Sequence, residues 1–94
     1  MTVPVGTPTD TDIHVASSVD AWASHTPLAW VSPTEAYGTI EVPRGQFVYY
    51  KYTRGGWDTV EKWPDCVEAG NRYELGRAQE KRDTVYGWRD QCPE

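Results

Sequence analysis

An all-β domain is the fold class these residues predict, on three observations. Helix-packing residues are scarce, with only two leucines (Leu28, Leu75) and one methionine in a chain that favours Val, Thr, Tyr and Trp. Eight glycines and seven prolines punctuate it at short intervals. Between these breaks apolar and polar residues alternate with the period of a strand. About seven short antiparallel strands at regular spacing argue for a small β-sandwich.

Taken in order, residues 1–10 are rich in Thr, Pro and Asp and read as a flexible N-terminal linker, with the domain occupying 11–94. Asp12 to Ala16 alternates, turning Ile13 and Val15 inward and His14 outward in a first strand. Ser17 to Thr26 is a polar connection carrying one large apolar residue, Trp22. Leu28 to Val31 is a short second strand, closed by Ser32-Pro33. Tyr37 to Val42 alternates again, and Pro43-Arg44-Gly45 turns the chain into its densest β-forming run. Along that run, Gln46 to Arg54, Val48, Tyr50 and Tyr52 share one face, while Phe47, Tyr49, Lys51 and Thr53 share the other. Gly55-Gly56 predicts a hairpin into a strand over Trp57 to Lys62. Trp63 to Gly70 is a long loop, Asn71 to Leu75 a strand, and Gly76 to Arg82 a loop or one helical turn. Asp83 to Trp88 closes the fold. No internal repeat and no second domain are visible.

Composition narrows the partners. The net charge is −5, and the nine basic residues are not gathered into a patch, which disfavours nucleic acid. No apolar run approaches a membrane span. Cys66 and Cys92 are consistent with one disulfide or with two unrelated thiols, and neither their spacing nor the histidine supply points to zinc. The disulfide is the expectation adopted. It ties the 66-region loop to the C-terminus, stabilises by about 3 kcal/mol in the chain-entropy model, and places the chain in an oxidising compartment, secreted or at the cell surface.

Catalytic signatures are weak. The only histidines are His14 and His25, and no Gly-flanked serine forms a nucleophile elbow. Asp58, Glu61, Asp65 and Glu68 cluster in sequence, but a paired-carboxylate hydrolase needs two of them across a cleft, for which a 94-residue sandwich offers little depth, and a charged hairpin edge is the ordinary explanation. Asp10, Asp12 and Asp20 offer oxygens for calcium, yet a solvated lead-in accounts for them better. The expectation is a non-enzyme with no cofactor and no metal.

The aromatics carry more information. Five tryptophans in 94 residues exceed what one small core can bury. Trp22 lies in a polar loop, Trp57 follows a turn and Trp63 neighbours Pro64. A sugar ring presents a C–H face that packs on a flat aromatic, while its hydroxyls need donors and acceptors at the rim. Lys51 supplies donors, and Asn71 supplies both. For any single tryptophan, packing within the fold is the competing explanation.

The segments AWASHTPLAW, PRG, YYKYTRGGWDTVEK and GNR together resemble the starch- and glycogen-binding modules of the immunoglobulin-like carbohydrate-binding class. They are similar to the glycogen-binding domain of AMP-activated protein kinase, to starch-binding modules of amylolytic enzymes, and more so to secreted bacterial domains with a TRG-W-TVEK hairpin and a later NR. The resemblance runs from about Thr11 to Leu75. It implies an immunoglobulin-like β-sandwich in which Trp22 and Trp57 stack on glucose rings of an α-glucan, while Lys51 and Asn71 hydrogen-bond hydroxyls. Two departures stand out. Ala16-Ser17-Ser18-Val19-Asp20 replaces the usual Gly-Asn or Gly-Ser opening, and the Trp63 to Gly70 loop is longer than in those modules.

The function expected is therefore a non-catalytic carbohydrate-binding module for an α-glucan such as starch or glycogen, tethered to a larger secreted protein. The rival is a β-sandwich structural or protein-interaction domain of a secreted or cell-surface protein, its exposed aromatics forming a protein interface.

Overall fold

A computed structural model describes residues 1–77 and 79–92. Among them the regular structure is strand and single 3₁₀ turns, with no α-helix. The strands are β1 (Ile13–Ser17), β2 (His25–Ser32), β3 (Glu35–Tyr37), β4 (Phe47–Thr53), β5 (Glu61–Lys62), β6 (Arg72–Leu75) and β7 (Gly87–Trp88). Every ladder is antiparallel. Five strands form one sheet in the order β3-β2-β1-β4-β6, and β5 pairs with β7 in a second, two-residue ladder. No helix is long and apolar enough to cross a membrane.

Alternation sorts the sheet's two faces. Ile13 and Val15 of β1, Leu28 of β2, Ala36 of β3, and Val48, Tyr50 and Tyr52 of β4 all enter one core. Val3, Val85 and Trp88 join that core from outside the five-stranded sheet. Trp88 is fully buried, and its indole N–H donates to Thr7 Oγ1 at 2.9 Å, which satisfies the one polar atom of the ring. The opposite face of β4 presents Phe47, Tyr49 and Lys51, as its alternation predicts.

Several expected elements differ from what forms. The segment set aside as a linker contributes Val3 and Thr7 to the interior, and Thr2 bridges to both Glu35 and Thr84. Its Thr- and Pro-rich composition conceals two inward-facing residues whose partners lie far along the chain. Trp57 does not open a strand. Trp57–Thr59 is a 3₁₀ turn whose backbone is satisfied locally, Thr59 N–H donating to Gly56 O and Val60 N–H to Trp57 O. Only an isolated bridge, Thr53 to Val60, survives of the hairpin, and β5 pairs with β7 instead of β4. The strand expected over Tyr37 to Val42 stops at Tyr37; Gly38 then passes so close to Leu28 that an added Cβ would lie 2.4 Å from Leu28 Cδ2, which only glycine allows. The last strand is confined to Gly87–Trp88. Residues 76–77 and 79–82 form no helical turn, and Ala78 lies outside the described residues.

Cys66 and Cys92 are joined, with Cα atoms 5.9 Å apart across 26 residues of chain. The bridge ties the turn after β5 to the tail after β7, locking the ends of the two-residue ladder that hydrogen bonds alone hold weakly. Reducing it is expected to remove about 3 kcal/mol of stability, lowering the melting temperature by roughly 10–20 °C in a domain of this size. Thermal melts with and without reductant measure this, and a shift of under 2 °C would show that the bridge adds little.

Candidate functional site

The outward face of the sheet and the loops that follow β1 and β4, which leave this antiparallel pair at opposite ends, place the residues of interest. After β1 the chain enters a 3₁₀ turn, Ser18–Asp20, entered from Ser17, whose hydroxyl accepts from Val19 N–H at 3.4 Å. Two successive non-glycine residues then take left-handed backbone, Ala21 (φ 57) and Trp22 (φ 66). Each such residue costs about 1–2 kcal/mol, so the surrounding hydrogen bonds must hold the pair. Trp22 N–H donates to Ser17 O at 2.9 Å and Ala21 N–H to Ser18 O at 3.2 Å. The strain re-aims Trp22 back across the sheet instead of continuing toward β2.

Trp57 comes from the other side. Gly55 (φ 118) makes the reversal after β4, and the 3₁₀ turn then carries the indole outward. The two rings meet with centroids 5.9 Å apart and planes inclined by 57°. Trp57 remains 42% exposed and Trp22 half-buried. His25 packs edge-on against Trp57 at 5.2 Å, and its Nδ1 lies 3.0 Å from Thr53 Oγ1, which fixes the imidazole plane. Ala16 and Thr53 face outward by alternation yet have no exposed surface. They sit under this cluster, Ala16 paired with His25 in the ladder and Thr53 bonded to it.

Lys51 lies on the same outward face, opposite Ala16 in the β1–β4 ladder. Asn71 immediately precedes β6, and extending the register of Tyr49 with Tyr73 by two residues sets Asn71 opposite Lys51. Among the described residues Lys51 makes no ion pair. The four residues singled out from sequence thus fall into two groups. Trp22 and Trp57 touch, while Lys51 and Asn71 stand across one rung of the sheet, and no hydrogen bond joins either to an indole. Asn71 also borders a shallow depression with Trp63, Arg72 and Tyr73. Trp63 stands apart from the pair, its ring half-buried against the Arg72 guanidinium at 5.3 Å and Tyr86 at 6.1 Å.

A buried polar network supports this face from behind. Arg72 forks onto Glu61 through Nε (3.1 and 3.0 Å) and Nη2 (2.7 Å). Its guanidinium is layered between Trp63 and Tyr52, and Nη2 also donates to Thr84 O at 2.7 Å. Glu61, only 1% exposed, accepts Tyr52 N–H at 2.8 Å through its second oxygen, taking the place a longer β6 would fill beside β4. Asp83 accepts from both Tyr50 and Tyr52 hydroxyls at 2.7 and 2.8 Å. Burial alone would weaken the Arg72 charge, but the hydrogen bonds and negative charge of Glu61, with Asp83, outweigh it and hold the guanidinium more firmly protonated than usual.

Burial, reinforced by Asp83, raises both tyrosine hydroxyls above the usual value of 10.0. The unfolded chain releases these protons near pH 10 while the native state keeps them. The unfolded state then binds fewer protons, so the stability is fully present below pH 10 and falls as pH rises beyond it. The expected slope is up to about 1.4 kcal/mol per pH unit for each tyrosine. Urea titrations from pH 8 to 11 measure it, and a Tyr50→Phe/Tyr52→Phe variant should show a flatter alkaline limb. An unchanged slope in that variant would assign the alkaline loss to other groups.

No protein-family model matches this chain, and no solved structure does. An alpha-amylase of Niallia circulans is 33% identical over 97 residues, which covers 97% of this chain and 7% of that protein. The chain is similar to one small region of an amylase. It spans about 7% of the length of that curated relative.

Two features of the site escaped reading from sequence. His25 is visible there only as one of two histidines, and nothing local indicates that its strand position sets it against Trp57. Arg72 stands in the GNR segment beside Asn71, so the signal was present, but its partners Glu61 and Asp83 lie 11 residues away on either side. Among the described residues no group of three or more His, Cys, Asp or Glu side chains is arranged to hold a metal ion.

Proposed function

We propose that this chain is a non-catalytic carbohydrate-binding module that holds an α-glucan, of the starch or glycogen kind, on the outward face of its sheet. Trp22 and Trp57 stack on successive glucose rings, and Lys51 and Asn71 hydrogen-bond hydroxyls at the rim. The observation that carries the reading is the indole pair, 5.9 Å apart and inclined by 57°. A curved glucan turns one ring relative to the next, and two aromatic planes set at an angle complement it where a flat platform would not. His25 belongs to the same surface and steadies Trp57. The similarity to a small region of an alpha-amylase supports a role beside, and not in, starch chemistry.

The proposed domain is an immunoglobulin-like sandwich that takes in Met1–Thr7 as well as 11–94, tethered within a larger secreted protein. Tethering would raise the local concentration of its partner on polysaccharide by making the second contact intramolecular. Affinity gel electrophoresis tests the binding with soluble starch, glycogen, xylan and a mixed-linkage β-glucan. Retardation by starch and glycogen alone is the expected result, and retardation by none of the four would overturn the proposal. Concentration-dependent sedimentation without any glycan response would favour the protein-interaction alternative.

A further inference from the structure

The outward face carries a second pair of aromatic rings that neither the core nor the indole cluster uses. Tyr49 and Tyr73 are directly paired across β4 and β6, their centroids 6.3 Å apart and their planes inclined by 51°. That geometry is close to the 5.9 Å and 57° of Trp22 and Trp57. The rings are 47% and 64% exposed, and Phe47, one rung further along the same face, is 64% exposed. The core-facing positions of β4 are already filled by Val48, Tyr50 and Tyr52, so packing does not require aromatics on the other side. Cross-strand aromatic pairs do steady a sheet, but that purpose is served without leaving three large rings open to water on one contiguous face.

Position says what such a surface fits. Across the sheet, His25, Ala16, Lys51 and Asn71 share one outward rung, with His25 reaching diagonally to Thr53; the next outward rung along β4 is Tyr49–Tyr73, and then comes Phe47. The indole cluster thus flanks the Lys51–Asn71 pair on the β2 side, and the tyrosine pair lies one rung along on the β6 side. From His25 on β2 to the middle of the Tyr49–Tyr73 pair is about two and a half strand spacings and one outward rung, about 14 Å in all, longer than one disaccharide. Each tyrosine adds a hydroxyl that can donate or accept at the edge of its ring. We infer that Tyr49 and Tyr73 form a second stacking subsite for the same glucan chain, reached across Lys51 and Asn71, so that the module distinguishes long chains from short ones. This inference rests on the glucan-binding proposal above.

Isothermal titration with maltotriose and maltoheptaose tests it on three proteins. The wild type is expected to bind maltoheptaose about ten times more tightly than maltotriose. Tyr49→Thr/Tyr73→Thr, which keeps strand-forming residues, is expected to lose that tenfold preference while holding maltotriose unchanged. Tyr49→Phe/Tyr73→Phe should retain most of it, which separates stacking from a mere effect on folding, and thermal melts of each variant check that separation. Equal affinity of the wild type for both oligosaccharides, or an equal loss for both in the threonine variant, would overturn the second subsite while leaving the first intact. Binding of neither oligosaccharide by the wild type would remove both proposals together. Length discrimination absent at low protein concentration but present at high concentration would assign the tyrosine face to contact between copies of the chain instead.

Discussion

Replacing Trp57 by alanine is expected to abolish the retardation of this protein in starch- and glycogen-containing gels. The ring is the most exposed part of the indole pair, sits on a 3₁₀ turn whose backbone bonds do not involve it, and contributes nothing to the core. Truncating a central stacking tryptophan commonly removes 2 kcal/mol or more, roughly a thirtyfold loss of affinity. Trp22→Ala should weaken binding by a similar factor, since each ring supports the other's inclination. Trp63→Ala serves as the contrast. Its ring lies on Arg72 and Tyr86, away from the pair, so it should affect stability more than binding. Mobility of the Trp57 variant equal to that of wild type in both gels would show that the stacking assignment is wrong, even if the protein binds glucan elsewhere.

Glu61→Ala is expected to be the most destabilising single change outside the hydrophobic core, by about 3–5 kcal/mol. The carboxylate is 1% exposed and engages Arg72 through both oxygens while accepting Tyr52 N–H. Its loss leaves a buried guanidinium and a buried backbone N–H without their main partner. Against a total stability of about 5–15 kcal/mol for a domain, the variant should be marginally folded and melt tens of degrees lower. A Glu61→Met/Arg72→Met variant removes both charges together and should recover much of the loss, because the cost lies in the unpaired charge. Thermal and urea unfolding of the three proteins decides the matter. A Glu61→Ala midpoint within a few degrees of wild type would mean that water or another group satisfies Arg72. The network also bears on function, since Arg72 follows Asn71 directly, so Glu61→Ala should weaken glucan binding through displacement of the start of β6.

Which of these features could be read beforehand depends on the range of the interactions that make them. Alternation along Phe47 to Thr53 is local, so the division of β4 into a core face and an outward face carrying Lys51 was legible residue by residue. The pairing of Cys66 with Cys92 was legible because two cysteines admit one bridge. The nomination of Trp22 and Trp57 came from tryptophans in polar loops together with a family resemblance, and the structure sets those two rings in contact. Their role as glucan contacts is a matter for the gels. By contrast, Glu61 reads in sequence as part of a charged hairpin edge and Asp83 only as the start of a closing strand, since hydropathy assigns a carboxylate to water unless a partner is in view. The partner, Arg72, is supplied only when β5, β6 and the 83-region converge. The glycine pair before Trp57 signalled a turn but not its kind. The next residues satisfied their own backbone bonds in a 3₁₀ turn, and β5 was left to pair with β7.

Residue order alone determined that this protein is built of antiparallel strands, which side of β1 and of β4 is apolar, and that its tryptophans outnumber the needs of one small core. Only the tertiary structure decided that two of those tryptophans meet at an inclination, that Lys51 and Asn71 share a rung, and that a second ring pair lies one rung along on the β6 side. It also drew Val3 and Thr7 out of an apparent linker and into the interior. The physical reason is the same in each case. Strand alternation is written in neighbours two residues apart, whereas ring contacts, buried ion pairs and strand order depend on segments brought together across tens of residues by burial of a common core.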